Sequence, residues 1–123
     1  MKRAVLSINT NQSMNLVLKN IFNNGFIFYP ASDVYSGFSI LKAIHEIEMI
    51  VIDLDEHCDD CLEFIHFIRS SKIYKKKVVV LVGKNELASL NSLRQDDGIQ
   101  ILVKPFSPSV LISNNYKYLR TKE

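Results

Sequence analysis

The sequence predicts an α/β domain in which a parallel sheet carries helices on both faces. Three observations predict it. Short runs rich in Val, Ile and Phe are apolar on successive residues, as strands buried on both faces are. Stretches with helical apolar spacing lie between these runs. The two patterns alternate along the chain, and five strands each followed by a helix make a doubly wound sheet.

The elements follow in order. The strand runs are "AVLSI" (4–8), "FIFYP" (26–30), "MIVID" (49–53), "VVVLV" (78–82) and "IQILV" (99–103). After the first, Met14, Val17, Leu18 and Ile21 recur at i, i+3, i+4 and i+7, with Asn11 or Ser13 as the cap and Gly25 past the end. Phe38, Leu41 and Ile44 form a second stripe. Cys61, Phe64, Ile65 and Ile68 form a third, opened by Asp60 with Glu63 three residues on, in the manner of a capping box. A weaker helix is expected over 86–95, and a last one after Pro108, a residue suited to a first helical turn.

Composition bounds the rest. A chain of 123 residues with 47% hydrophobic residues has the size and core of one domain, and a single domain over 1–123, with no second domain attached, is expected. A net charge of +2 does not announce nucleic acid as a partner. The single tight basic run, Lys75 to Lys77, reads as a solvated loop. No run approaches the ~20 apolar residues of a membrane span, and "MKRAVLSINTNQ" lacks the apolar core of an export signal. The expected location is the cytoplasm. Two cysteines three apart in such a chain do not suggest a disulfide scaffold.

Open sheets of this kind place their sites beyond the carboxyl ends of the strands. Here those ends carry Ile8-Asn9-Thr10-Asn11, Asp53-Leu54-Asp55-Glu56, Val82-Gly83-Lys84 and Lys104-Pro105. Asp53, followed by Asp60, Cys61, Leu62 and Glu63, and "LVKPF" at 102–106 with its Lys-Pro pair, together resemble the receiver domain of bacterial response regulators. Gly25-Phe26 and Gly98 also fit that pattern. The resemblance spans the whole chain and implies a flavodoxin-like (βα)5 fold of three layers with strand order 2-1-3-4-5. It also implies two-component signalling, with a histidine kinase or a downstream signalling protein as partner and no enzymatic turnover. A homodimer would form through the fourth helix, fifth strand and fifth helix, near Phe106, Tyr116 and Tyr118.

In the family the acceptor aspartate, here Asp53, takes a phosphoryl group, with Mg²⁺ held by two acids of the first strand's end and by the acceptor. A hydroxyl at the fourth strand's end and the lysine of the Lys-Pro pair, here Lys104 beside Pro105, contact that group. An aromatic ring three residues before the lysine reads out the change. This sequence departs at each of the other positions. Asn9 and Thr10 stand where the acids are expected, Val82 where the hydroxyl is, and Ile101 where the ring is. Mg²⁺ prefers anionic oxygen, so cofactor binding is expected to be absent or weak. The expectation is therefore a degenerate receiver that acts by protein–protein interaction, with Asp53 and Lys104 as a remnant ion pair. The alternative is a working phosphoacceptor whose Mg²⁺ is held by Asp53, Asp55 and Glu56.

Two further motifs compete. Cys58 and Cys61 form a CxxC between a strand and a helix, but Glu56, Asp59 and Asp60 surround the thiols with negative charge, which disfavours the reactive thiolate. Cys61 also continues the third apolar stripe, so it reads as a small buried residue. His57, Cys58, Cys61 and His66 lack the spacing of four convergent zinc ligands. His45 is expected to be an exposed helical residue.

Overall fold

The computed structural model describes residues 3–22, 25–54, 59–104, 106, 109 and 111. Its elements are β1 (Arg3–Ile8), α1 (Gln12–Ile21), β2 (Phe26–Ala31), α2 (Val34–Ala43), β3 (Ile47–Leu54), α3 (Asp59–Ser70), β4 (Lys77–Val82), a 3₁₀ helix (Lys84–Leu93) and β5 (Ile99–Val103). Every expected strand run forms a strand, and all pair in parallel in the order β2-β1-β3-β4-β5. No helix among the described residues is long and apolar enough to cross a membrane.

The two-residue period of the strands divides the core in two. Ala4, Leu6 and Ile8 of β1 join Ile50, Ile52 and Leu54 of β3 beneath α2, α3 and the 3₁₀ helix. Val5, Met49, Val51, Val79 and Leu81 point the other way, against Leu18 of α1 and Phe22 at its C-terminal cap. Each such Val, Leu or Ile contributes about 1.5–3 kcal/mol by leaving water, which is why the successive-residue apolar pattern marks these strands so clearly.

Asn11 caps α1 by accepting hydrogen bonds from the backbone N–H groups of Ser13 and Met14. The buried face of α1 differs from the expected stripe. It runs through Asn15, Leu18 and Phe22, while Val17 is 48% exposed and Met14 and Ile21 are half-buried. The cause is a polar residue: Asn15 is drawn inward by the hydroxyl of Ser7, which turns the helix away from its apolar count. Gly25 has φ 86°, the left-handed conformation that glycine adopts without a Cβ penalty, and it turns the chain into β2.

Asp33 caps α2 by accepting from the N–H of Ser36, and that bond holds its carboxyl below the ordinary carboxylate range. Gly37 lets α2 press onto the end of β1, since a Cβ there would meet Ile8 Cδ1 at 2.6 Å. His45 is exposed as expected, but it lies in the turn after α2 rather than in the helix. Helix α3 covers Asp59–Ser70, with Asp60 and Glu63 near its start, and the residues that lead into it lie outside the described residues. The acids there suit the helix dipole.

The weak helix expected at 86–95 is a 3₁₀ helix at Lys84–Leu93. Leucines at 87, 90 and 93 recur every third residue, the period of a 3₁₀ rather than an α-helix, and Leu90 and Leu93 are buried. Past β5, Ser109 and Leu111 have helical backbone, whereas Pro108, Tyr116 and Tyr118 lie outside the described residues.

Two features hold the periphery. Arg69, near the end of α3, makes a bidentate pair with Asp96 at 2.8 Å through both Nε and Nη2, and its Nη1 donates to the carbonyl of Lys76. Gly98 lies directly beneath this guanidinium, where a Cβ would collide with Arg69, and its N–H donates to Asp96. At the opposite edge of the sheet, the carbonyl of Ala31 accepts from the N–H of Asn9, just past β1. In a strand the neighbouring residue points outward, so Pro30 faces the outer edge of β2 and places no N–H there.

Candidate functional site

Strand parity builds the site. Val5, Ser7 and Asn9 alternate onto one face of β1 and its continuation, and Met49, Val51 and Asp53 onto the same face of β3. Ile8 pairs with Ile52, so Asn9 comes to rest beside Asp53. Asp53 pairs with Leu81, and Leu81 with Leu102. Lys104 lies two residues beyond Leu102, on the same face, and reaches across β4 to the aspartate.

The result is a closed polar network. Asn9 Nδ2 donates to Asp53 Oδ2 at 3.0 Å, and Lys104 Nζ donates to Asp53 Oδ1 at 2.8 Å. The Asp53 side chain is 3% exposed and that of Lys104 is 24% exposed. Asn9 is buried and its orientation is fixed from both ends. The backbone N–H of Asn11 donates to Asn9 Oδ1 at 2.7 Å, so the amide oxygen faces α1 and the amide nitrogen faces the carboxylate. Behind it, Ser7 Oγ donates to Asn15 Oδ1 at 2.6 Å, and Asn15 Nδ2 reaches the carbonyls of Asn9 and Ala31. Buried polar groups are tolerated when each is bonded in this way.

A cleft of about 170 Å³ opens beside the network, with Thr10, Asp33, Asp60 and Cys61 among its lining. The described residues do not fit a Mg²⁺ site. That ion prefers anionic oxygen, yet both oxygens of Asp53 already accept hydrogen bonds, and Asn9 turns its nitrogen, not its oxygen, toward them. Asp33 is engaged as a cap, and no three His, Cys, Asp or Glu side chains converge among the described residues. Asp55 and Glu56, the expected substitute ligands, lie outside the described residues, as does Pro105.

Val82 is buried at the end of β4 and supplies its carbonyl to the backbone N–H of Lys104, and no hydroxyl. Ile101 is half-buried and packs against the α2–α3 side of the core. Of the cysteine and histidine candidates, Cys61 is half-buried against that same core and His66 is exposed, while His57 and Cys58 lie outside the described residues. Ser7 and Asn15 were not anticipated from sequence. The available signal was a serine inside an otherwise apolar strand, which needs a polar partner when buried.

The fold is the one seen in solved receiver domains. It is similar to a response regulator receiver domain protein from Clostridium thermocellum, with TM-score 0.80 and 18% identity over 95% of this chain and 94% of that one. A response regulator from Thermotoga maritima matches with TM-score 0.76 and 22% identity over 98% and 100%. An adenylate cyclase structure from Rhodopirellula baltica matches with TM-score 0.82 and 16% identity over 98% and 89%. No protein-family model and no curated protein matches the chain.

Proposed function

We propose that this chain is a receiver-fold signalling module that works in the cytoplasm by binding another protein, a kinase or a downstream component, without substrate turnover. In this reading Asp53 is a fixed strut of the partner-binding domain and does not cycle through a phosphorylated state. The observation that carries it is the engagement of both Asp53 oxygens, by Asn9 and by Lys104. Attack on phosphorus needs a carboxylate oxygen that the donor can reach, whereas the Asp53 side chain is 3% exposed, and the charge on the transferring group needs cations around it. Lys104 pairs with the carboxylate at 2.8 Å, and Asn9 and Thr10 bring no second anionic oxygen to hold a divalent cation beside it. Val82 and Ile101 also lack the hydroxyl and the ring with which a receiver would report the event.

The test is intact-mass measurement after prolonged incubation with acetyl phosphate and Mg²⁺, with Asp53→Asn in parallel. No adduct is expected on either protein. An adduct on the wild type that disappears in Asp53→Asn would establish a working phosphoacceptor and point to Asp55 and Glu56 as the metal ligands.

A further inference from the structure

Helices α2 and α3 leave an aromatic groove uncovered. Phe38 meets Phe67 edge to face at 5.6 Å and Tyr74 at 5.3 Å between ring centroids. Phe38 and Tyr74 are half-buried against the core, and Phe67 stands outward from them. Phe67 is 47% exposed, and next to the cluster Tyr35 is 69% and Ile73 80% exposed. The groove between the helices holds about 580 Å³. Scattered apolar side chains on a surface need no explanation, but contiguous rings mark an interaction face.

The charges on this groove are ordered. Both helices start at the carboxyl edge of the sheet, so their first turns lie together and their last turns lie together. Asp60 and Glu63, in the first part of α3, line the upper end. Lys42, in the last turn of α2, lies at the lower end with its ammonium 5.0 Å from the centre of the Phe38 ring. Helix dipoles alone account for acids at one end and a base at the other. They do not account for the exposed rings between them. A face that is acidic at one end, aromatic in the middle and basic at the other end is complementary to itself after a two-fold rotation.

We infer that a second copy of this chain seats on the α2–α3 groove in antiparallel fashion, Phe67 and Tyr35 of each copy meeting the rings of the other and Lys42 of each facing Asp60 and Glu63 of the other. The contact leaves the hydrogen bonds of Asp53 in place, although Tyr35 and Asp60 also line the cleft beside it, and it differs from the face made by the 3₁₀ helix and β5.

Sedimentation velocity on the full chain, from about 1 μM to about 1 mM, tests this over the range in which weak specific dimers form. A reversible dimer is expected. Phe67→Ser and Lys42→Glu should each raise the dimerisation midpoint at least about tenfold, a loss of about 1.4 kcal/mol. The double variant Lys42→Glu/Glu63→Lys should restore it, because the two-fold axis pairs these positions across the interface. Tyr35→Ser serves in place of Phe67→Ser if thermal melting shows that variant to be unfolded. A monomer at every concentration overturns the proposal. So does a dimer that neither single variant weakens, which would place the contact on another face. Weakening by both single variants without recovery in the double overturns the antiparallel seating.

Discussion

The two ends of the Asp53–Lys104 pair are unequally placed. Lys104 is 24% exposed, so without its partner the ammonium can swing to water, whereas Asp53, at 3%, has no such route. Lys104→Met should therefore destabilise the protein by about 2–4 kcal/mol, the cost of a stranded buried charge. Asp53→Asn should cost about 1 kcal/mol, as for a lost hydrogen bond. In the double variant the losses should fall short of their sum by about 1–3 kcal/mol, read from denaturant midpoints. Equal single effects would show that burial does not control the pair. Asn9→Asp tests the missing metal directly, because it sets a second carboxylate against the first. Its Tm should drop without divalent ions and recover with Mg²⁺, while the wild-type Tm should not respond. Of this site the sequence shows Asp53 and Lys104 at strand ends, while Val82 and Ile101 take their places from the resemblance to receiver domains. The donation from Asn9 was legible only through strand parity, and the burial of Asn15 depends on Ser7, a tertiary partner that no helical count contains.

At the scale of elements, the clasp formed by Arg69, Asp96 and Gly98 ties the end of α3 to the turn that leads into β5. The Arg69 guanidinium beside Asp96 lowers its carboxyl to about 2 from an ordinary 3.8, helped by the N–H of Gly98. A folded-state value below the unfolded one adds stability above pH 3.8, and that contribution fades as pH falls toward 2. Asp96→Asn should cost about 1–2 kcal/mol near neutral pH. The gap to wild type should stay constant above about pH 5 and close between about pH 4 and about pH 2. A gap that does not narrow there would mean that the pair contributes no charge-dependent stability. Gly98→Ala should cost a similar amount by pushing the guanidinium aside. The clasp was invisible in sequence because its partners lie 27 residues apart on separate elements. The 3₁₀ helix, in contrast, was written in the three-residue spacing of its leucines and was obscured by the assumption of an α-helical period.

For the whole molecule, the five apolar runs sufficed because a strand buried on both faces cannot hide its composition. The parallel order follows from alternation with helices, and the positions of the runs differ from the strands by at most two residues, at the start of β3. What alternation could not supply was the outer surface, where an exposed ring and a core ring have the same letter. The same holds for Pro30, which the sequence places at the end of a strand run without saying which edge it faces. On the outermost strand it leaves a gap in the row of donors that an incoming chain would need. A twisted parallel sheet ending in an unbroken, apolar margin is a template for endless lengthening, strand upon strand. Pro30→Val would fill that gap while keeping the fold. The substituted protein should remain native at low concentration but scatter light and bind amyloid dyes sooner than wild type on prolonged incubation. No change in that lag would show that the margin is protected by something else. One missing hydrogen thus separates a domain that stays a finite particle from one that can grow into a filament.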